Sequence, residues 1–135
     1  MNSDKVKIEM DGAEIFALHE FLDSKNIDKF ISKVTDQNIG EIASNALHEI
    51  SHEFINGENS DEIINFPNLF YSIEIDLTEI QISELLRFIK KVSIDDVHSW
   101  GFKIRISKEI TNALWCIKDG LNRYIYKNST RHDKE

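Results

Sequence analysis

Between Lys33 and Arg87 the chain contains no lysine and no arginine, yet eleven carboxylates fall there: Asp36, Glu41, Glu49, Glu53, Glu58, Asp61, Glu62, Glu74, Asp76, Glu79 and Glu84. A segment with no cation of its own offers nothing to hold phosphates, so it reads against a nucleic-acid surface and for attraction to basic ones. Other scarcities narrow the class further. A single cysteine, Cys116, excludes an internal disulfide and a cysteine-based zinc cluster, and fits a reducing compartment. One proline and five glycines argue against a Pro-rich linker or a low-complexity tail. No apolar run approaches the ~18 residues of a membrane span, and the start, MNSDKVKIEMD, lacks the apolar stretch of a signal peptide, so the expected location is the cytoplasm, without membrane contact.

What the chain does have is a hydrophobic fraction of 41% in 135 residues, enough for one domain with its own core. The expected domain covers residues 1–127, with 128–135 a polar C-terminal tail. Charge is unevenly divided: residues 1–80 hold five lysines against seventeen acids, and residues 81–135 hold eleven basic residues against seven acids.

Periodicity supplies the elements. Ile8 to Ile15 and Ile73 to Ile80 each show alternating apolar residues followed by Asp-x-x-Glu, the pattern of a strand entering a capped helix. Phe102 to Ile110 gives a looser third copy. Helical spacing follows in Ile15, Leu18 and Leu22, in Ile27, Phe30, Ile31 and Val34, and in a third segment from about Asn38 to Asn56. Leu69 to Leu77 is the most strand-like run, with Leu69, Tyr71, Ile73, Ile75 and Leu77 on one face. A fourth helix carries Ile82, Leu85, Leu86, Ile89 and Val92 inward, and a last one carries Ile110 to Tyr124 with its stripe continuing past Gly120. The expectation is an α+β domain of about five helices with a small sheet of about three strands.

His48-Glu49-Ile50-Ser51-His52 holds the spacing of a metallopeptidase zinc motif: two histidines one helical turn apart as ligands, with Glu49 as the base acting on the metal-bound water. The pentapeptide resembles that of the zincins, but its context differs. Glu53, a charge, follows the second histidine. No downstream His motif offers a third ligand, although Glu58, Asp61, Glu62 and Glu74 are available. The apolar stripe of the helix lies opposite both histidines, so the plain reading is a pair of solvated side chains. No metal or cofactor is expected, and no catalytic residue is assigned.

Other constellations have ordinary explanations. Ser93 followed by Asp95 and Asp96 is a helix start. Cys116 falls near the apolar stripe of the last helix, where a thiol is buried and inert. Lys90, Lys91, Lys103, Arg105 and Lys108, with Trp100 and Phe102 among them, form a modest basic group that could hold phosphate or RNA.

An acidic helix bearing Glu49 and Glu53, followed by Ser60-Asp61-Glu62-Ile63-Ile64-Asn65-Phe66-Pro67, resembles the toxin-binding segment of the immunity proteins of nuclease colicins. There a similar helix precedes a Ser-Asp-x-Ile run with an aromatic pair and a proline. Ser60, Asp61, Ile63 and Pro67 match in kind, Phe66 stands for one aromatic, and Asn65 occupies the place of the other. A small acidic α+β chain is also similar in character to the immunity proteins of contact-dependent growth inhibition. The resemblance implies an inhibitor that neutralises a basic toxin domain, with Glu49, Glu53, Glu58, Asp61 and Glu62 steering association and Phe66, Phe70 and Tyr71 as buried anchors. Two alternatives remain open at this point: a small zinc metallopeptidase using His48, Glu49 and His52, and an acidic phage-type inhibitor of a nucleic-acid-binding protein.

Overall fold

The computed structural model describes residues 5–35, 37–57 and 60–133. Its elements run β1 (Val6–Asp11), α1 (Gly12–Leu22), α2 (Ile27–Val34), α3 (Gln37–Asn56), α4 (Ser60–Asn65), β2 (Phe70–Ile75), α5 (Glu79–Lys91), α6 (Ile94–Ser99) and α7 (Ile104–Asp133). The fold is therefore mostly helical, with one two-stranded antiparallel sheet in which Val6 faces Ile75 and Asp11 faces Phe70.

The sheet obeys the period of two. Val6, Ile8 and Met10 are fully buried and pair with Ile75, Ile73 and Tyr71, while Lys7, Glu9, Ser72 and Glu74 turn the other way. The inward row lies on helices: α7 packs along β1, and α3 along β2. Ile110, Ala113, Leu114, Ile117 and Leu121 of α7 are completely buried, as are Ala43, Ala46, Leu47 and Ile50 of α3. Each Leu or Ile taken out of water contributes about 1.5–3 kcal/mol. Helix α3 also lies against α2 and α5, and α7 against α1 and α6, so these two long helices organise the domain. Phe21 joins the layers, meeting Phe30 edge-on at 5.7 Å and Phe102 at 5.9 Å between ring centroids.

Local chemistry sets the boundaries. Asp11 accepts from the Glu14 amide at 2.7 Å and Glu14 accepts from the Asp11 amide at 2.9 Å, a reciprocal capping box at the β1–α1 joint. The second joint is capped two residues later than the Asp-x-x-Glu pattern suggests, by Thr78 and Gln81. Leu77 and Ile82 are both buried at the positions of a hydrophobic staple, which selects that start. Ser93 and Asp96 form a third box at α6, the helix start read from the sequence.

Three expectations are corrected. The segment around Phe102–Ser107 is not a third strand: α7 begins at Ile104, because the Ser107 hydroxyl donates to the Lys103 carbonyl and Ile106 and Ile110 continue one helical stripe. The described helices number seven instead of five, since residues 60–65 wind into α4 and Ser93 opens the short α6. Leu69, expected inside, is half exposed, and β2 begins one residue later. Among the described residues no helix is long and apolar enough to cross a membrane.

Candidate functional site

The apolar side of α3 is buried in the core, so its opposite side is left to face a cleft of about 710 Å³. His48, Glu49, His52, Glu53 and Asn56 of α3 line one wall. His19 and Leu22 of α1 with Asp23 close it on one side, and Lys5, Glu74, Ile75 and Asp76 on the other. Among the described residues, five carboxylates, those of Asp23, Glu49, Glu53, Glu74 and Asp76, thus share one concavity with one ammonium, that of Lys5, and three imidazoles. Like charges gathered in one concavity add their fields, which favours cations there.

The zinc reading can be tested against this geometry. His48 and His52 do share one helix face, and Glu74 does line the same cleft. Among the described residues, however, no three His, Cys, Asp or Glu groups come together as metal donors. The Asn56 amide nitrogen lies 2.9 Å from His52 Nδ1 and also donates to the His52 carbonyl at 3.4 Å. That contact places the His52 ring against its own helix one turn on. Glu49 is engaged from another side: Gln81, at the start of α5, donates to its Oε2 at 3.2 Å. Two of the motif's three residues, Glu49 and His52, thus hold contacts with helix side chains.

A second cavity of about 400 Å³ adjoins the first and shares Glu53 and Glu74 with it. Phe54 of α3, Gly57 just after it and Ile63 of α4 line it, with Tyr71 to Glu74 from β2 and Lys7 from β1. Beside it the chain from α4 into β2 presents a run of exposed apolar side chains, Ile64, Phe66, Leu69 and Phe70, the last 73% exposed. Large apolar side chains grouped in one short segment, rimmed by Asp61 and Glu62, are the composition of an interaction surface.

Of the residues singled out from the sequence, Glu49 and Glu53 are exposed in the cleft, Asp61 and Glu62 are exposed on α4, and Phe66 and Phe70 project outward. Glu58 lies outside the described residues. Tyr71 is not an available anchor: it is 5% exposed, and its hydroxyl hydrogen-bonds to the carbonyls of Phe66 at 2.8 Å and Glu62 at 3.0 Å. It fixes the loop that displays Phe66 and Phe70. Burial, with Glu62 nearby, holds its phenol above the ordinary range. His19, Asp23 and Asp76 were missed because they come from separate elements, and only the α1–α3 and sheet packing brings them to His48 and Glu53.

The remaining candidates are structural. His98 donates from Nδ1 to the Phe102 carbonyl at 2.8 Å. Trp100 rests on Phe30 at 5.1 Å and Phe102 on Phe21 at 5.9 Å, so both aromatic rings of the basic group pack against the core. Cys116 Sγ donates to Glu14 Oε1 at 3.6 Å, and burial with that carboxylate raises the thiol to about 12. Such a thiol is no nucleophile at neutral pH. Compared with protein-family models, curated proteins and solved structures, the chain shows no significant match.

Proposed function

We propose that the chain is a binding protein of the immunity type, which captures and neutralises a basic toxin domain through the acidic cleft and the exposed apolar segment between α4 and β2. The observation that carries this reading is the convergence of five carboxylates on a single cleft with, among the described residues, Lys5 as its one ammonium. A nuclease toxin must present cations to hold phosphates. An inhibitor presenting carboxylates to the same cations gains fast, steered association and rejects the nucleic acid that competes for them. Phe66 and Phe70, with Ile64 and Leu69, supply the apolar centre that charge alone does not give. Tyr71 supports them from within.

Binding of this kind needs no catalytic group, consistent with the engagement of Glu49 and His52 in helix contacts. The test is association with a cationic toxin domain encoded immediately upstream of the chain's own gene, measured by stopped flow at low and raised salt. The expected result is a complex whose on-rate falls steeply with salt and whose formation abolishes toxin activity. A toxin domain that stays active and unbound at equimolar chain would overturn the reading.

A further inference from the structure

The ladder of β1 and β2 fixes which backbone groups of β2 face outward. In an antiparallel pair, residues that exchange both hydrogen bonds alternate with residues whose N–H and C=O point away from the partner. The Gly12 amide donates to the Leu69 carbonyl at 3.2 Å, one step beyond the Asp11–Phe70 pair. Met10–Tyr71, Ile8–Ile73 and Val6–Ile75 are therefore the bonded pairs, and Phe70, Ser72 and Glu74 turn their backbone groups to the outer edge of β2.

The two edges of the sheet are treated differently. On β1, the outward Asp11 amide is taken by Glu14, and α7 closes over the Lys7 carbonyl, against which Gly120 is packed. On β2, no group among the described residues bonds to the outward backbone of Phe70, Ser72 or Glu74. The 400 Å³ cavity is lined by β2 residues from both faces of the sheet, Tyr71 and Ile73 from one and Ser72 and Glu74 from the other, which places it along that open edge.

We infer that the open edge of β2 receives an extended cationic segment of the partner as a third strand. The inference rests on the proposed function and deepens it by naming how the partner is held. Main-chain bonds to Phe70, Ser72 and Glu74 would supply register, and the two faces would read the side chains. One face of the added strand meets Ile73, which is apolar and partly exposed; the other runs beside Ser72 and Glu74, with Glu53 at the shared wall of the two cavities. The fitting sequence alternates apolar and basic residues.

The probe is a capped heptapeptide, Lys-Val-Lys-Ile-Lys-Val-Lys, titrated into the isotopically labelled full chain. Binding should slow hydrogen exchange at the Phe70, Ser72 and Glu74 amides. N-methylating one alternate set of peptide amides should weaken binding about tenfold or more, as lost interfacial hydrogen bonds do, while methylating the other set should leave it unchanged. A peptide with glutamates in place of its lysines should not bind. Equal binding by both methylated peptides, or protection elsewhere than at those three amides, would overturn the inference. The Ser72→Pro variant, whose lost N–H points away from β1, separates this idea from the broader one. If that variant, with its helix content intact, binds the upstream toxin domain as tightly as the unsubstituted chain, the strand addition fails and the inhibitor reading stands. If the toxin domain itself is never bound, the inhibitor reading fails whatever the peptide does. Should Ser72→Pro not fold, the methylated peptides still decide.

Discussion

Gly120 of α7 lies against the carbonyl oxygen of Lys7 in β1 so closely that a Cβ there would stand 2.5 Å from it. No real Cβ contact is that short, and the obstruction is backbone, which cannot swing aside. The apolar stripe of α7 runs through this glycine without a break, from Ile110 to Leu121, so the residue serves contact between helix and strand and does not end the helix. Gly120→Ala should therefore cost about 1–3 kcal/mol, as overpacking does, despite alanine's better helix propensity. Urea unfolding checks it; a variant of equal or greater stability would show that α7 can slide off the strand freely.

Such close approaches explain how much of the fold could be read in advance. Period-two and helical stripes identified β1, β2, α1, α3 and α5 because each has one buried face whose residues stand at the required spacing. Phe102–Ser107 misled because Phe102, Ile104 and Ile106 alternate as in a strand, yet no strand among the described residues pairs with them and Ile104 is exposed at the first turn of α7. The α4 helix was hidden by its length, six residues with one buried anchor, Ile63. The candidate site was half legible. Glu49 and Glu53 announced themselves by charge, whereas the contribution of His19, Asp23 and Asp76 depends on how α1 and the end of β2 pack around α3, which no local pattern encodes.

Cys116 should resist alkylation in the folded chain. With its thiol raised from 9.0 to about 12, the thiolate fraction near pH 8 falls about a thousandfold below that of a free cysteine. Iodoacetamide labelling followed by mass spectrometry should be slow in buffer and fast in urea. Rapid labelling of native protein would mean that the contact with Glu14 is not maintained.

Glu14 links this region to pH. Burial is the main cause that raises its carboxyl above 4.5, outweighing the Asp11 amide that it accepts. A carboxyl raised on folding binds its proton more tightly in the native state. Its contribution to stability is complete below pH 4.5 and is lost as pH rises through the folded-state value. Glu14→Gln keeps an acceptor for the Asp11 amide and removes the titration. Its urea midpoint should change less between pH 4 and pH 7 than that of the unsubstituted chain; an identical pH profile would remove Glu14 as a contributor.

His48→Ala combined with His52→Ala should change stability by no more than about 0.5 kcal/mol, since both side chains are exposed and only the Asn56 contact is lost. Protein purified without a histidine tag should carry no stoichiometric zinc by elemental analysis. One zinc per chain, lost in the double variant together with a peptidase activity, would restore the metallopeptidase reading.

Charge reversal examines the acidic surface as a whole. Glu49, Glu53, Asp61 and Glu62 are all exposed, the first two in the cleft and the others on α4 beside the apolar segment. Changing all four to lysine should slow association with the basic toxin domain by about tenfold or more at low salt, and should flatten the dependence of the on-rate on ionic strength, because steering acts through the long-range field that salt screens. Phe66→Ala and Phe70→Ala should act differently. They leave the field intact and remove apolar contact from the interface, so the on-rate should hold while dissociation accelerates. Stopped-flow measurement of both rates separates the two effects. An on-rate untouched by the four reversals would remove the acidic cleft from the recognition surface, and unchanged dissociation in both aromatic variants would remove the α4–β2 segment.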